Sequence, residues 1–76
     1  MSKLYTISEA SKILNVSSET LRHYDRINLV KPTFIDPESG YRYYSKKDII
    51  KLSTIKTLRI MDLSLEEIKK FFHIMI

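Results

Sequence analysis

Val16-Ser17-Ser18-Glu19-Thr20-Leu21-Arg22-His23-Tyr24-Asp25-Arg26 is the stretch on which the fold turns. Ser17 carries the short side-chain oxygen that accepts a free backbone N–H in the first turn of a helix. Val16 before this cap and Leu21 inside the helix make a hydrophobic staple that fixes the entry angle. Leu21 and Tyr24 are three apart and share one side; Ser18, Arg22 and Arg26 are four apart and share another. The expected element is a short helix that packs on one face and presents hydroxyl and guanidinium groups on the other. Asn15-Val16-Ser17 is a tight turn from an earlier helix. Helix, tight turn and a second helix with a basic outer face form the helix-turn-helix pattern.

Working outward, Thr6-Ile7-Ser8-Glu9 fits a capping box, preceded by a short extended lead-in, Lys3-Leu4-Tyr5. The helix that follows runs to about Leu14, with Ile7, Ala10 and Leu14 on one face. Ala10 is either a site of close helix approach or simply a good helix former. Asn15 suits the left-handed conformation that ends a helix. On the other side, the second helix ends near Ile27, with Asn28 as another left-handed stop. Leu29-Val30 returns to the core, and Lys31-Pro32 bars further helix.

Thr33 to Tyr44 has β-branched and aromatic residues flanking Asp36-Pro37-Glu38-Ser39-Gly40, the composition of a hairpin. Gly40 is the only glycine and suits a positive φ in the turn. On the returning strand, Tyr41 and Tyr43 point one way, Arg42 and Tyr44 the other. Arg42, Tyr41 and Tyr43 are each open to two readings, contact with an anionic partner or ordinary cross-strand packing. Ser45-Lys46-Lys47-Asp48 is a second capping box, stapled by Tyr44 and Ile49. A helix of about four turns to Ile60 follows, with Ile49, Leu52 and Ile55 as core. Lys47, Lys51 and Lys56 read mostly as solvated; Arg59 either favours the helix dipole or reaches a phosphate. Met61-Asp62-Leu63 is a break, and Ser64-Leu65-Glu66-Glu67 a third capping box. The last helix has an apolar face of Leu65, Ile68, Phe71, Phe72 and Met75. The expected fold is mainly α with a small β-hairpin: a winged helix-turn-helix with two further helices, residues 1–76 as one domain.

Composition narrows the function. A hydrophobic content of 43% supports a packed core rather than a disordered tail. No apolar run approaches the roughly 20 residues that span a bilayer, and the start lacks the layout of a secretion signal. With no cysteine there is neither a disulfide framework nor a thiolate metal site, which suits a cytoplasmic protein. Net charge is +4, and residues 31–60 carry seven Lys/Arg against three Asp/Glu. That central excess is either a solvated surface or the footprint of a phosphate-backbone binder. No paired carboxylates, nucleophile–base set or glycine-rich phosphate loop points to an enzyme. Ser39 and His73 read as turn and surface residues. His23 has no ligand-spaced partner, so neither metal nor other cofactor is expected. Arg22 and Arg26 suit phosphates or guanine edges, Ser18 a base or phosphate, and Tyr24 can bury its ring while its hydroxyl reaches a phosphate.

Several blocks together carry a resemblance. Tyr5-Thr6-Ile7-Ser8-Glu9-Ala10, Thr20-Leu21-Arg22-His23-Tyr24-Asp25, Leu29-Val30-Lys31-Pro32, Gly40-Tyr41-Arg42-Tyr43-Tyr44 and Ser64-Leu65-Glu66-Glu67-Ile68 resemble the N-terminal DNA-binding domain of MerR-family transcription regulators. The resemblance covers roughly residues 4–72. It implies a homodimer, in a full-length form, on a promoter inverted repeat of double-stranded DNA. The recognition helix would enter the major groove and the wings would grip flanking backbone. Distortion of the DNA would then realign promoter elements, so that RNA polymerase is a partner only indirectly. Matching contact positions are Arg22, His23 and Tyr24, Arg42 in the first wing, and Arg59 beside the second. Asn28 and Asp62 stand where many relatives have glycine. The family's dimerising coiled coil and effector domain have no counterpart in these residues, so this chain alone is expected to be a monomer. Phe71, Phe72, Ile74, Met75 and Ile76 either pack against such a missing part or belong to the core. Two other functions fit the residues: an excisionase-like architectural factor that bends DNA, and a protein-interaction module using the C-terminal apolar face.

Overall fold

The computed structural model describes residues 3–74. In chain order the elements are β1 (Leu4–Thr6), α1 (Ile7–Leu14), α2 (Ser18–Arg26), β2 (Phe34–Ile35), β3 (Arg42–Ser45), α3 (Lys46–Ile60) and α4 (Leu65–Ile74). The architecture is the mainly helical winged helix-turn-helix expected from the sequence. Met75, placed on the apolar face of the last helix, and Ile76 lie outside the described residues. No helix among the described residues is long and apolar enough to cross a membrane.

All the capping boxes form. Thr6 Oγ1 accepts the Glu9 N–H, and Glu9 Oε1 accepts the Thr6 N–H. Ser45 pairs with Asp48 in the same way, and Ser64 with Glu67. Ser17 Oγ accepts the Thr20 N–H at 3.0 Å and opens α2. The helix exits follow one pattern too. Asn15, Asn28 and Asp62 all have positive φ, at 55°, 60° and 68°. After each, an apolar residue donates its N–H five residues back: Val16 to Ser11, Leu29 to Tyr24, Leu63 to Leu58. This is the Schellman closure, which satisfies the last carbonyls and turns an apolar side chain back onto the helix.

The sheet differs from the expectation. The lead-in is a strand: β1 pairs antiparallel with β3, with Tyr5 opposite Tyr44, so the order is β1-β3-β2. The hairpin is therefore one edge of a three-stranded sheet, and β3 is its centre. Three residues are too few to show strand alternation, so only the pairing reveals β1. The core lies between this sheet and the helices: Ala10, Leu14, Leu21, Tyr24, Leu29, Val30, Tyr44, Leu52, Ile55 and Ile68 are buried. Ala10 is fully covered, consistent with close approach of a neighbour at that point. Phe72 packs against the core, whereas Phe71 remains exposed and meets its neighbour's ring edge-on.

Candidate nucleic-acid interface

Alternation along β3 sends Arg42 to the same side as buried Tyr44, toward α2. There Arg42 Nε donates to Asp25 Oδ2 at 3.0 Å. Lys31 Nζ donates to the other oxygen, Asp25 Oδ1, at 3.1 Å. The Asp25 side chain is only 12% exposed. Burial pushes its carboxyl upward, but the hydrogen bonds from Arg42 and Lys31 outweigh burial and hold it below the usual carboxylate range. Arg42 is thus fixed by one nitrogen, and its two terminal nitrogens make no hydrogen bond among the described residues.

Arg22 projects from α2 into the same region. Thr6, Ile7, Ser8, Arg22, Gly40, Tyr41 and Arg42 line one open groove of about 360 Å³. Helix α2, the first wing and the start of α1 therefore meet at one place, with two guanidiniums on it. Arg22 takes part in none of the ion pairs among the described residues. The wing tip is organised by its own backbone. Asp36 N–H donates to Tyr41 C=O, Gly40 N–H to Asp36 C=O, and Asp36 Oδ1 accepts the Glu38 N–H. Gly40 takes φ of +76°, as its position in the turn requires. Tyr41 is exposed at the tip. Tyr43 is half-buried and packs on Phe34 of β2, ring centroids 5.9 Å apart, which is the cross-strand role.

Of the other sequence candidates, Ser18 and His23 are half-buried on α2. Arg26 is exposed and pairs with Glu19 Oε1 at 3.3 Å. Exposed pairs of this kind are weak, so Arg26 can exchange Glu19 for an external anion at little cost. Tyr24 buries its ring, which raises its hydroxyl above the ordinary tyrosine value, with nearby Arg59 pulling the other way. Tyr24 and Arg59 line a second groove with Val16, Leu21, Leu52, Lys56 and Ile60. Arg59 does something the sequence reading left out: its Nη1 donates to the Leu63 carbonyl at 2.8 Å and braces the Met61–Ser64 turn, the second wing. Among the described residues no group of three or more His, Cys, Asp or Glu is placed to hold a metal ion.

Four residues that frame the site escaped the sequence reading. Asp25 left a signal: it stands four after Leu21, on the inner face of α2, where an acid requires cationic partners. Lys31 is one of those partners. Lys56, read as solvated, donates to the Leu14 carbonyl at the end of α1, 42 residues away. Lys69 donates likewise to the Ile27 carbonyl at the end of α2. Both place a cation at the negative end of a helix in the helix-turn-helix.

This geometry defines the class: a winged helix-turn-helix with its basic helix and wing on one groove. The model of the MerR HTH family regulatory protein matches residues 5–73, and the chain belongs to that family. It is 48% identical over 66 residues to the multidrug-efflux transporter 1 regulator of Bacillus subtilis (strain 168), covering 87% of this chain and 24% of that protein. A MerR-family transcriptional regulator from Bacillus cereus superposes with a TM-score of 0.85 at 34% identity, covering 92% of this chain and 52% of that one. HiNmlR, a MerR-family regulator lacking the sensor domain and solved bound to promoter DNA, superposes with a TM-score of 0.80 at 33% identity, covering 91% and 52%. The chain spans about a quarter of the length of the curated relatives it matches first.

Proposed function

We propose that this chain is the sequence-specific double-stranded DNA-binding domain of a MerR-type transcription regulator. One observation carries the reading: Arg22 of α2 and Arg42 of the first wing, far apart in sequence, line a single groove, so one duplex can meet both. The likeness of this chain to HiNmlR, which was solved bound to promoter DNA, supports it. In this reading α2 lies in the major groove, where Arg22 and Arg26 reach guanine edges or phosphates and Ser18 and His23 add polar contacts. Arg42 and Tyr41 engage backbone beside it, Tyr43 supports the wing, and Tyr24 and Arg59 meet phosphate at the second groove. The reading assigns no catalytic chemistry and no cofactor. A longer form works as a homodimer on an inverted repeat in the cytoplasm, distorting promoter DNA and acting on RNA polymerase through it; this chain alone is a monomer.

Selection of bound duplexes from a random pool tests the function. Enriched half-sites arranged as an inverted repeat are the expected result. Failure to retain any duplex at low salt overturns the proposal. Sedimentation tests the oligomeric state, and a tight dimer of this chain overturns the monomer.

A further inference from the structure

The geometry points to Asp25 as a positioning residue for DNA binding, a carboxylate that aims Arg42 at a phosphate. The inference rests on the proposed duplex-binding face. Asp25 is an acid inside the basic helix, and simple charge counting makes it a repulsive element for a polyanion. Its placement says otherwise. The carboxylate is largely buried and engages Arg42 only through Nε, at 3.0 Å. That grip leaves both terminal nitrogens of Arg42 without a hydrogen bond among the described residues while restricting the side chain's freedom to swing away. Arg42 is 32% exposed and lines the groove beside Arg22. A planar guanidinium can bridge two anions, one through Nε and one through its outer edge, which an ammonium cannot do in the same geometry. Lys31 supplies a second cation to the other carboxylate oxygen, so Arg42 need not neutralise Asp25 alone. The ordering cost of the long side chain is met in the free protein rather than on binding.

The test uses the full chain and a mixed-sequence duplex about two helical turns long, roughly 20 bp. Affinity is measured over a range of salt, with thermal unfolding as a check on the fold. Charge alone makes Asp25→Ala bind tighter. Positioning makes it bind roughly tenfold weaker, as expected for one lost charge-assisted hydrogen bond, with the salt slope shallower by about 0.9. In an Arg42→Ala background the weakening by Asp25→Ala should vanish, because nothing remains to be aimed and only the gain from removing a negative charge is left. Should Asp25→Ala fail to fold, Arg42→Lys reads the same contact: charge is kept, yet the slope should still fall by about 0.9. Tighter binding by Asp25→Ala, equal effects in both backgrounds, or an unchanged slope for Arg42→Lys overturns the inference. If the wild-type chain binds no duplex, the proposed function itself fails; if it binds and the variants match it, only the role of Asp25 does.

Discussion

The two wings flank the same recognition helix but are held in different ways. The first wing is rooted by tertiary contacts: Arg42 reaches Asp25, 17 residues away on α2, and the Tyr44 ring is buried in the core. The second wing rests Leu63 on the core but closes its hydrogen bonds on itself. Asp62 N–H donates to Arg59 C=O, Leu63 N–H to Leu58 C=O, Arg59 Nη1 to Leu63 C=O, and Ser64 and Glu67 cap the next helix. A wing tied to the recognition helix shares its stability with the whole domain. A wing closed by its own helix ends can be altered with little effect elsewhere. Substitutions should therefore have large, global consequences in the first and small, additive ones in the second.

Tyr44→Ala is the strongest way to break this comparison. Tyr44 is 1% exposed at the centre of the sheet, and truncating a buried aromatic costs about 3–5 kcal/mol. That approaches the whole stability of a domain this small, roughly 3–5 kcal/mol, so the variant should be largely unfolded by circular dichroism. Tyr44→Phe sharpens the point. The buried Tyr44 hydroxyl has no hydrogen-bond partner among the described residues, so its removal should leave stability unchanged or raise it by about 1 kcal/mol. A substantial loss in urea titration would show that the hydroxyl, rather than the ring, anchors the strand.

Asp25→Ala comes next, at about 2 kcal/mol, below the full cost of breaking a buried pair because Lys31 and Arg42 are partly solvated. The pair also predicts a pH dependence. Asp25 is held below the unfolded value near 3.9, chiefly by Arg42 and then Lys31 acting against burial. Its contribution is complete above about pH 4 and disappears as pH falls through the lower native value. Acid unfolding of Asp25→Asn should lack that part of the decline. Glu67 in the second wing is also held low, by hydrogen bonds from Ser64, but it is fully solvated. Glu67→Gln should therefore leave the acid limb almost unchanged. A larger effect from Glu67 than from Asp25 would reverse the assignment of tertiary and local anchoring.

Ser64→Ala should cost about 1 kcal/mol, the usual value of an N-cap. Measured together with a first-wing substitution such as Arg42→Ala, it should add within about 0.5 kcal/mol, as independent sites do. The same contrast explains what could be read without coordinates. The second wing was legible because capping boxes and left-handed stops are written within a few adjacent residues, and Thr6, Ser17, Ser45 and Ser64 all cap as expected. Arg22 and Arg42 were legible as candidates, since an amphipathic helix and a strand each reveal their faces. Their shared groove is a fact of tertiary structure. Asp25 on the inner face of α2 leaves a local signal, but its pairing with Arg42, the lysines that reach helix ends 42 residues away, and the three-residue strand β1 depend on packing that no local pattern encodes.

The smallest effect expected is a gain, and its sign depends on two opposing costs. Asp62 holds φ of 68° at the end of α3. A left-handed conformation costs a residue with a side chain about 1–2 kcal/mol. Glycine avoids that strain but loses about 0.5–1 kcal/mol more through the freedom of its unfolded chain. Asp62→Gly should therefore stabilise by about 0.5 kcal/mol, with a little more from removing a carboxylate at the negative end of a helix. Asp62→Asn separates the two contributions, since it removes the charge and keeps the side chain; it should gain about 0.3 kcal/mol. Because the second wing closes locally, neither change should alter the stability difference between wild type and Asp25→Ala. A shift in that difference, read from urea midpoints, would mean that the two wings communicate through α2 and α3 and that the second is not self-contained.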